Sequence, residues 1–203
     1  MTTYRSKAKD SYNTRMRFFK FHCVVNGVDF NNENFKAFRN VEGEDENIAI
    51  TKIYTTQYYQ RKRHETLDGV KNTYLTIDEI YKKIKDLNAY DEEDWFTDYL
   101  TDFEHQYSKE KFQEDTHAEE CHYCHITKDD IETLVTKKML YKKNERGFTM
   151  EIDRKNANLE YTNKNCVPAC YWCNNAKTDE FDDVEFKPIA EQIKAVFDKR
   201  LNS

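Results

Sequence analysis

Two Cys-x-x-Cys pairs carry the strongest chemical signal in this chain. They are Cys121-His122-Tyr123-Cys124 and Cys170-Tyr171-Trp172-Cys173, separated by 45 residues. A Cys-x-x-Cys turn lets two thiolates reach one ion, and two such turns supply the closed, tetrahedral sulfur set that Zn2+ prefers. Four thiolates leave no open position for water, so the ion is expected to be structural. No thioredoxin-like βαβ pattern surrounds either pair, which argues against redox chemistry. Of the other two cysteines, Cys166 falls within a predicted strand and Cys23 in an apolar run; both read as buried thiols.

The elements that position these groups follow from the residues between the pairs. Thr127-Lys128-Asp129-Asp130 reads as a cap, and Ile131, Leu134, Val135 and Leu140 give the apolar side of a helix. Gly147 breaks the chain. Phe148 to Arg154 then reads as a strand, Lys155-Asn156-Ala157-Asn158 as a turn, and Tyr161 to Val167 as the returning strand of a hairpin. Pro168 follows, and Cys173-Asn174-Asn175-Ala176-Lys177 opens a helical turn.

Three stretches carry a resemblance: Glu151-Ile152-Asp153-Arg154, Tyr161-Thr162-Asn163-Lys164-Asn165-Cys166-Val167-Pro168-Ala169-Cys170 and Cys173-Asn174-Asn175-Ala176-Lys177. Together they resemble the HNH (ββα-metal) endonuclease signature, in the variant whose first strand ends Asp-Arg, found in phage and restriction-modification proteins. The resemblance runs from Cys121 to about Phe181. It implies that Asp153 and Asn174 converge on one Mg2+ or Mn2+, which suits hard oxygen ligands. That ion would contact the scissile phosphate and help the leaving 3′-oxygen depart. It implies that Asn165 braces the hairpin. Lys177 is expected to contact phosphate.

The sequence departs from the usual motif at Arg154, where the family has the histidine that activates water. Arginine stays protonated and cannot act as an ordinary base; it could clamp phosphate instead. Glu151, on the same strand face as Asp153, is the first candidate for the base. His122 and His125 come second, and metal-bound hydroxide third.

Further upstream, Arg17 to Val25 followed by Asn26-Gly27 reads as a strand entering a hairpin turn. Ile48 to Tyr54 reads as a second strand. Arg61, Lys62, Arg63 and His64 form a basic cluster beside Tyr58 and Tyr59, a candidate nucleic-acid contact. Thr76-Ile77-Asp78-Glu79 fits a capping box, with Ile77, Ile80, Tyr81, Ile84 and Leu87 at helical spacing behind it. Asp91 to Phe112 repeats that pattern through Trp95, Phe96, Tyr99, Leu100, Phe103 and Tyr107. Pro188 to Leu201 reads as a closing helix.

The fold expected is α+β: a C-terminal ββα-metal (HNH) module with a four-cysteine zinc site, preceded by a mixed α/β N-terminal region with amphipathic helices. The division expected is 1–115 for the N-terminal, target-recognising region and 116–203 for the nuclease module. Net charge is −6 over 203 residues, which argues against a general DNA-coating protein. The acidity is local, however: residues 76–120 carry a net −10 and residues 1–75 a net +4. No apolar run approaches the roughly 20 residues of a membrane span, and Met1 to Lys7 lead into no apolar signal segment. A cytoplasmic protein of a bacterial or phage-infected cell is expected, with DNA as partner. A compact HNH site cuts one strand, so a double-strand cut would need a homodimer or two successive nicks. The rival expectation is an inactive zinc module that binds nucleic acid or protein. A third reading makes the acidic 76–120 segment an inhibitory or DNA-mimicking surface.

Overall fold

The architecture comes from a computed structural model that describes residues 3–39, 76–87, 93–140 and 146–203. Ile48 to Tyr54, Tyr58, Tyr59 and the Arg61–His64 cluster lie outside the described residues. The chain is mixed α+β and mostly helical, with one small two-stranded sheet. Along it run α1 (Tyr4–Asn26), α2 (Asn32–Arg39), α3 (Ile77–Leu87), α4 (Glu93–Gln106), α5 (Lys109–His117), α6 (Lys128–Thr136), β1 (Glu151–Arg154), β2 (Cys166–Ala169), α7 (Tyr171–Lys177) and α8 (Asp183–Leu201). No helix among the described residues is long and apolar enough to cross a membrane. The chain divides into two compact units between Asp102 and Phe103. The line drawn from sequence after residue 115 therefore falls inside the second unit, within α5.

In the first unit the expected strand at Arg17 to Val25 is helix. Thr3 caps α1 in a reciprocal capping box with Ser6. The buried positions Ala8, Ser11, Tyr12, Arg15, Met16 and Phe19 recur at three and four residues. From Phe18 to Val25 apolar residues are so dense that a period of two and a period of 3.6 look alike, and the helix begun upstream continues through them. Gly27 at φ 64 is the left-handed cap that ends this helix, not a hairpin turn. Tyr12 packs edge-on against Phe35 and Tyr99, with centroids 5.7 and 5.4 Å away. Phe21, Val25 and Ile80 form a second buried contact, joining α1 to α3. The expected capping box at α3 is present: Thr76 N–H donates to Glu79 Oε2 at 2.7 Å, and Glu79 N–H to Thr76 Oγ1 at 3.3 Å.

The single helix read from Asp91 to Phe112 is two, because Ser108 stops one and caps the next by accepting from Lys111 N–H at 3.1 Å. In the second unit the cap expected at Thr127 is present, and Asp130 closes it into a capping box at the start of α6. That helix ends at Thr136, so Leu140 lies beyond it, and Val135 is exposed. β1 and β2 pair antiparallel with Glu151 opposite Ala169 and Arg154 opposite Cys166. Both strands are shorter than expected, and β2 is displaced toward Cys170. Residues 161–165 curl instead of extending: Asn165 and Cys166 N–H both donate to Thr162 O, at 3.2 and 3.0 Å. Pro168 is tolerated because β2 is an edge strand that needs no amide donor there. Its carbonyl instead accepts His122 N–H at 2.9 Å, which docks the first cysteine turn on the sheet. The closing helix α8 starts at Asp183, five residues before Pro188, with Asp182 as its cap.

The core of this unit surrounds the cysteines. Cys121, Cys124, Cys170 and Cys173 pack with Ile126, Ile131, Leu134, Met150, Phe186 and Phe197. Removing whatever holds the sulfurs together therefore disturbs the centre of the unit, not its rim.

Candidate functional site

Each cysteine turn is built by its own backbone. In the first, His125 N–H donates to Cys121 O and Cys121 N–H to Ile126 O, both at 3.0 Å. His125 takes the left-handed conformation at φ 56 that closes the loop. In the second, Cys170 is the N-cap of α7, and its sulfur accepts Cys173 N–H at 3.4 Å.

The two turns bring four buried sulfurs within 4.8 Å of one another. Cys124 Sγ and Cys170 Sγ stand 3.7 Å apart. Four ligands at the usual Zn–S distance of about 2.3 Å around a tetrahedron would stand about 3.8 Å apart. The cluster is thus sized for a metal ion such as zinc. Four thiols gathered this closely and buried cannot all ionise unless a cation sits between them, and a divalent ion is the group that lets them do so.

Beside this cluster α7 lies along β1. Asn174 Nδ2 donates to Glu151 Oε2 at 2.7 Å. Lys177 Nζ sits 3.1 Å from Asp153 Oδ2 and donates to Arg154 O at 2.8 Å. The match is one of spacing: residues three apart on a helix share a face, as do residues two apart on a strand. Asp153 is 8% exposed. Its Oδ2 also accepts from Tyr123 Oη at 2.6 Å. Tyr123 is itself wedged edge-on against Phe186 at 5.2 Å. Burial, then its bond to the Asp153 carboxylate, drives the Tyr123 phenol strongly upward, so it remains the donor. Asp153 Oδ1 and Asn174 Oδ1 take no hydrogen bond among the described residues.

Glu151, Asp153, Asn174 and Lys177 are thus brought together, but not all in the roles expected. Lys177 is fully buried, at 0% exposure, so the contact with phosphate expected of it is not open. Its long side chain reaches inward because Asp153 offers a counter-charge there. Both Glu151 oxygens accept from Arg146, at 2.8 to 3.0 Å, and one also accepts from Asn174. Arg154 points to the other strand face. Its Nη1 donates to Leu159 O at 3.0 Å, its guanidinium lies 4.9 Å above the Tyr161 ring, and Asp179 is 3.9 Å away. It is therefore committed to the hairpin loop.

Asn165 ties that loop shut. Its amide donates to Asn156 O and Glu160 O at 3.0 and 2.9 Å, and its oxygen accepts Asn156 N–H at 3.0 Å. His122 and His125 are exposed. Partial burial first, then Lys155, lowers the His122 pKa. His125 pairs with Glu120. Cys166 and Cys23 are buried.

Two residues at this site escaped the reading by motif: Tyr123 and Arg146. Tyr123 stands inside the first cysteine turn, where spacing directs attention only to the cysteines. Arg146 precedes Gly147, whose φ of 98 folds it back toward Glu151. A basic residue just before a glycine ahead of an acidic strand was the available signal. Compared with protein-family models, curated proteins and solved structures, the chain shows no match.

Proposed function

We propose that the chain is a metal-dependent endonuclease of the HNH type that hydrolyses phosphodiester bonds in DNA, of the phage or restriction kind. In this reading Cys121, Cys124, Cys170 and Cys173 hold a structural Zn2+. Asp153 and Asn174 hold a catalytic Mg2+ or Mn2+. The observation that carries the reading is the pair of side-chain oxygens left uncommitted: Asp153 Oδ1 on β1 and Asn174 Oδ1 on α7. One carboxylate and one amide oxygen are the hard donors such ions take, with water completing the shell. When bound, the ion would supply Lewis-acid stabilisation of charge on the phosphate and the leaving oxygen.

The chain's own groups have simpler tasks. Tyr123 and Lys177 keep the Asp153 carboxylate from rotating. Glu151 holds the Asn174 amide by its nitrogen, which leaves the amide oxygen outside that bond. To take a proton from water Glu151 must first release Arg146. The Arg146 guanidinium is 58% exposed, and an incoming phosphodiester is an anion that competes for it. Arg154 and Asn165 hold the loop between the strands.

The rival is an inactive zinc module that only binds nucleic acid or protein. It draws on Arg154, which stands where a base would be and is engaged in the loop. Glu151→Gln separates the two. The nuclease reading expects cleavage of plasmid DNA by the zinc-loaded protein in Mn2+, slowed about 10²- to 10⁴-fold in the variant, the usual worth of acid–base catalysis. DNA binding without any cleavage, in either protein, would favour the rival.

A further inference from the structure

Asp153 is held from both ends of the cysteine cluster. Tyr123 lies between Cys121 and Cys124, and Lys177 lies one helical turn beyond Cys173. Both reach the same atom, Asp153 Oδ2, at 2.6 and 3.1 Å. The other carboxylate oxygen takes no hydrogen bond among the described residues. Lys177 is fixed in turn by Arg154 O, and the Tyr123 ring by Phe186. All three side chains are at least nine-tenths buried, so none can swing away without opening the core.

We propose that Tyr123 is a positioning residue through which the four-cysteine centre sets the affinity of Asp153 for a divalent cation. A carboxylate that presents one fixed oxygen loses less freedom on binding a cation than one free to rotate. The phenol supplies that restraint while adding no charge to oppose the cation, as Lys177 does. Since Tyr123 is tethered at both sides by cysteines, its position depends on those sulfurs being gathered. The cysteine centre and the cation site are then coupled, although they share no ligand. This inference rests on the metal-dependent reading above.

The test measures binding of Mn2+ alone to the full, zinc-loaded chain, by titration calorimetry or by loss of the free-ion electron paramagnetic signal. Wild type, Tyr123→Phe and Asp153→Asn are compared at equal zinc content. Tyr123→Phe removes one oxygen from a bond to a charged group. It should therefore weaken Mn2+ binding about 10- to 100-fold, with one zinc per chain retained. Affinity within twofold of wild type, with zinc retained, would overturn the coupling while leaving the metal site standing. Failure of wild type to bind Mn2+, or equal binding by Asp153→Asn, would overturn the metal-dependent reading and the coupling with it. Should Tyr123→Phe lose zinc, the question passes to unmutated chain labelled at the tyrosine phenol carbon. Mg2+ must then shift one buried tyrosine resonance, and Asp153→Asn must abolish that shift. No shift would refute the coupling.

Discussion

Lys177→Met tests the physical reading of this site without reference to activity. The ammonium is wholly buried, 3.1 Å from Asp153 Oδ2 and 2.8 Å from Arg154 O. Methionine keeps most of the volume and removes the charge and the donors. Asp153, with its side chain 10% exposed, then keeps its carboxylate with only Tyr123 as donor. Removing one partner of a buried pair costs about 3–5 kcal/mol, against total stabilities of about 5–15 kcal/mol. The assay is urea unfolding of the zinc-loaded chain. The two tryptophans fall one in each unit, so Trp95→Phe leaves Trp172 as reporter of the second unit. Adding Asp153→Asn to Lys177→Met removes the stranded charge while keeping an acceptor for Tyr123. The double variant should regain about 1–3 kcal/mol relative to Lys177→Met alone. A loss below about 0.5 kcal/mol for Lys177→Met, as for a solvated surface residue, would refute the assignment of Lys177 to the interior.

Three other expectations concern the cysteines and the caps. Chelation of zinc, or Cys173→Ser, should abolish the cooperative Trp172 transition: structural zinc contributes about 10–16 kcal/mol in small zinc domains, comparable to the stability of a whole unit. A transition unchanged after verified metal loss would contradict this. Burial, and then the Asp29 charge, push the Cys23 thiol from 9.0 up to about 12, so the folded chain keeps a proton that the unfolded chain releases. Its contribution is complete below pH 9.0 and is lost as pH rises toward 12; Cys23→Ala should flatten that part of the stability–pH curve, and an unchanged slope would count against it. Thr127→Ala should destabilise α6 by about 1 kcal/mol, because Thr127 and Asp130 cap it reciprocally; a urea midpoint equal to wild type would show the cap to be idle.

What could be read from the sequence was whatever repeats a local rule. The capping boxes at Thr76 and Thr127 mark helix starts through side chains that satisfy orphan amides three residues away. The paired cysteines announce a sulfur cluster because each turn is self-contained. Legibility failed where one local pattern fits two structures. Phe18 to Val25 could alternate or spiral, and the cap at Thr3 and the packing of Tyr12 and Phe19 decide for the helix. The second strand was misplaced because Asn165, a side chain, draws residues 156–165 into a closed loop that propensity does not register. Lys177 misled in the same way. A lysine on a short helix reads as surface until Asp153, far away in sequence, supplies the buried counter-charge. Tyr123 and Arg146 were invisible for the complementary reason: their partners lie on another element.

The most direct test of the account is the nicking of supercoiled plasmid and of phage DNA by zinc-loaded protein in Mg2+ or Mn2+, with Asp153→Ala and Asn174→Ala assayed in parallel. The expected result is cleavage that requires the added ion, leaves 3′-hydroxyl ends and is lost in both variants while zinc content stays at one per chain. Intact DNA after incubation with protein that holds its zinc and binds the substrate would contradict it, as would cleavage that persists in both variants.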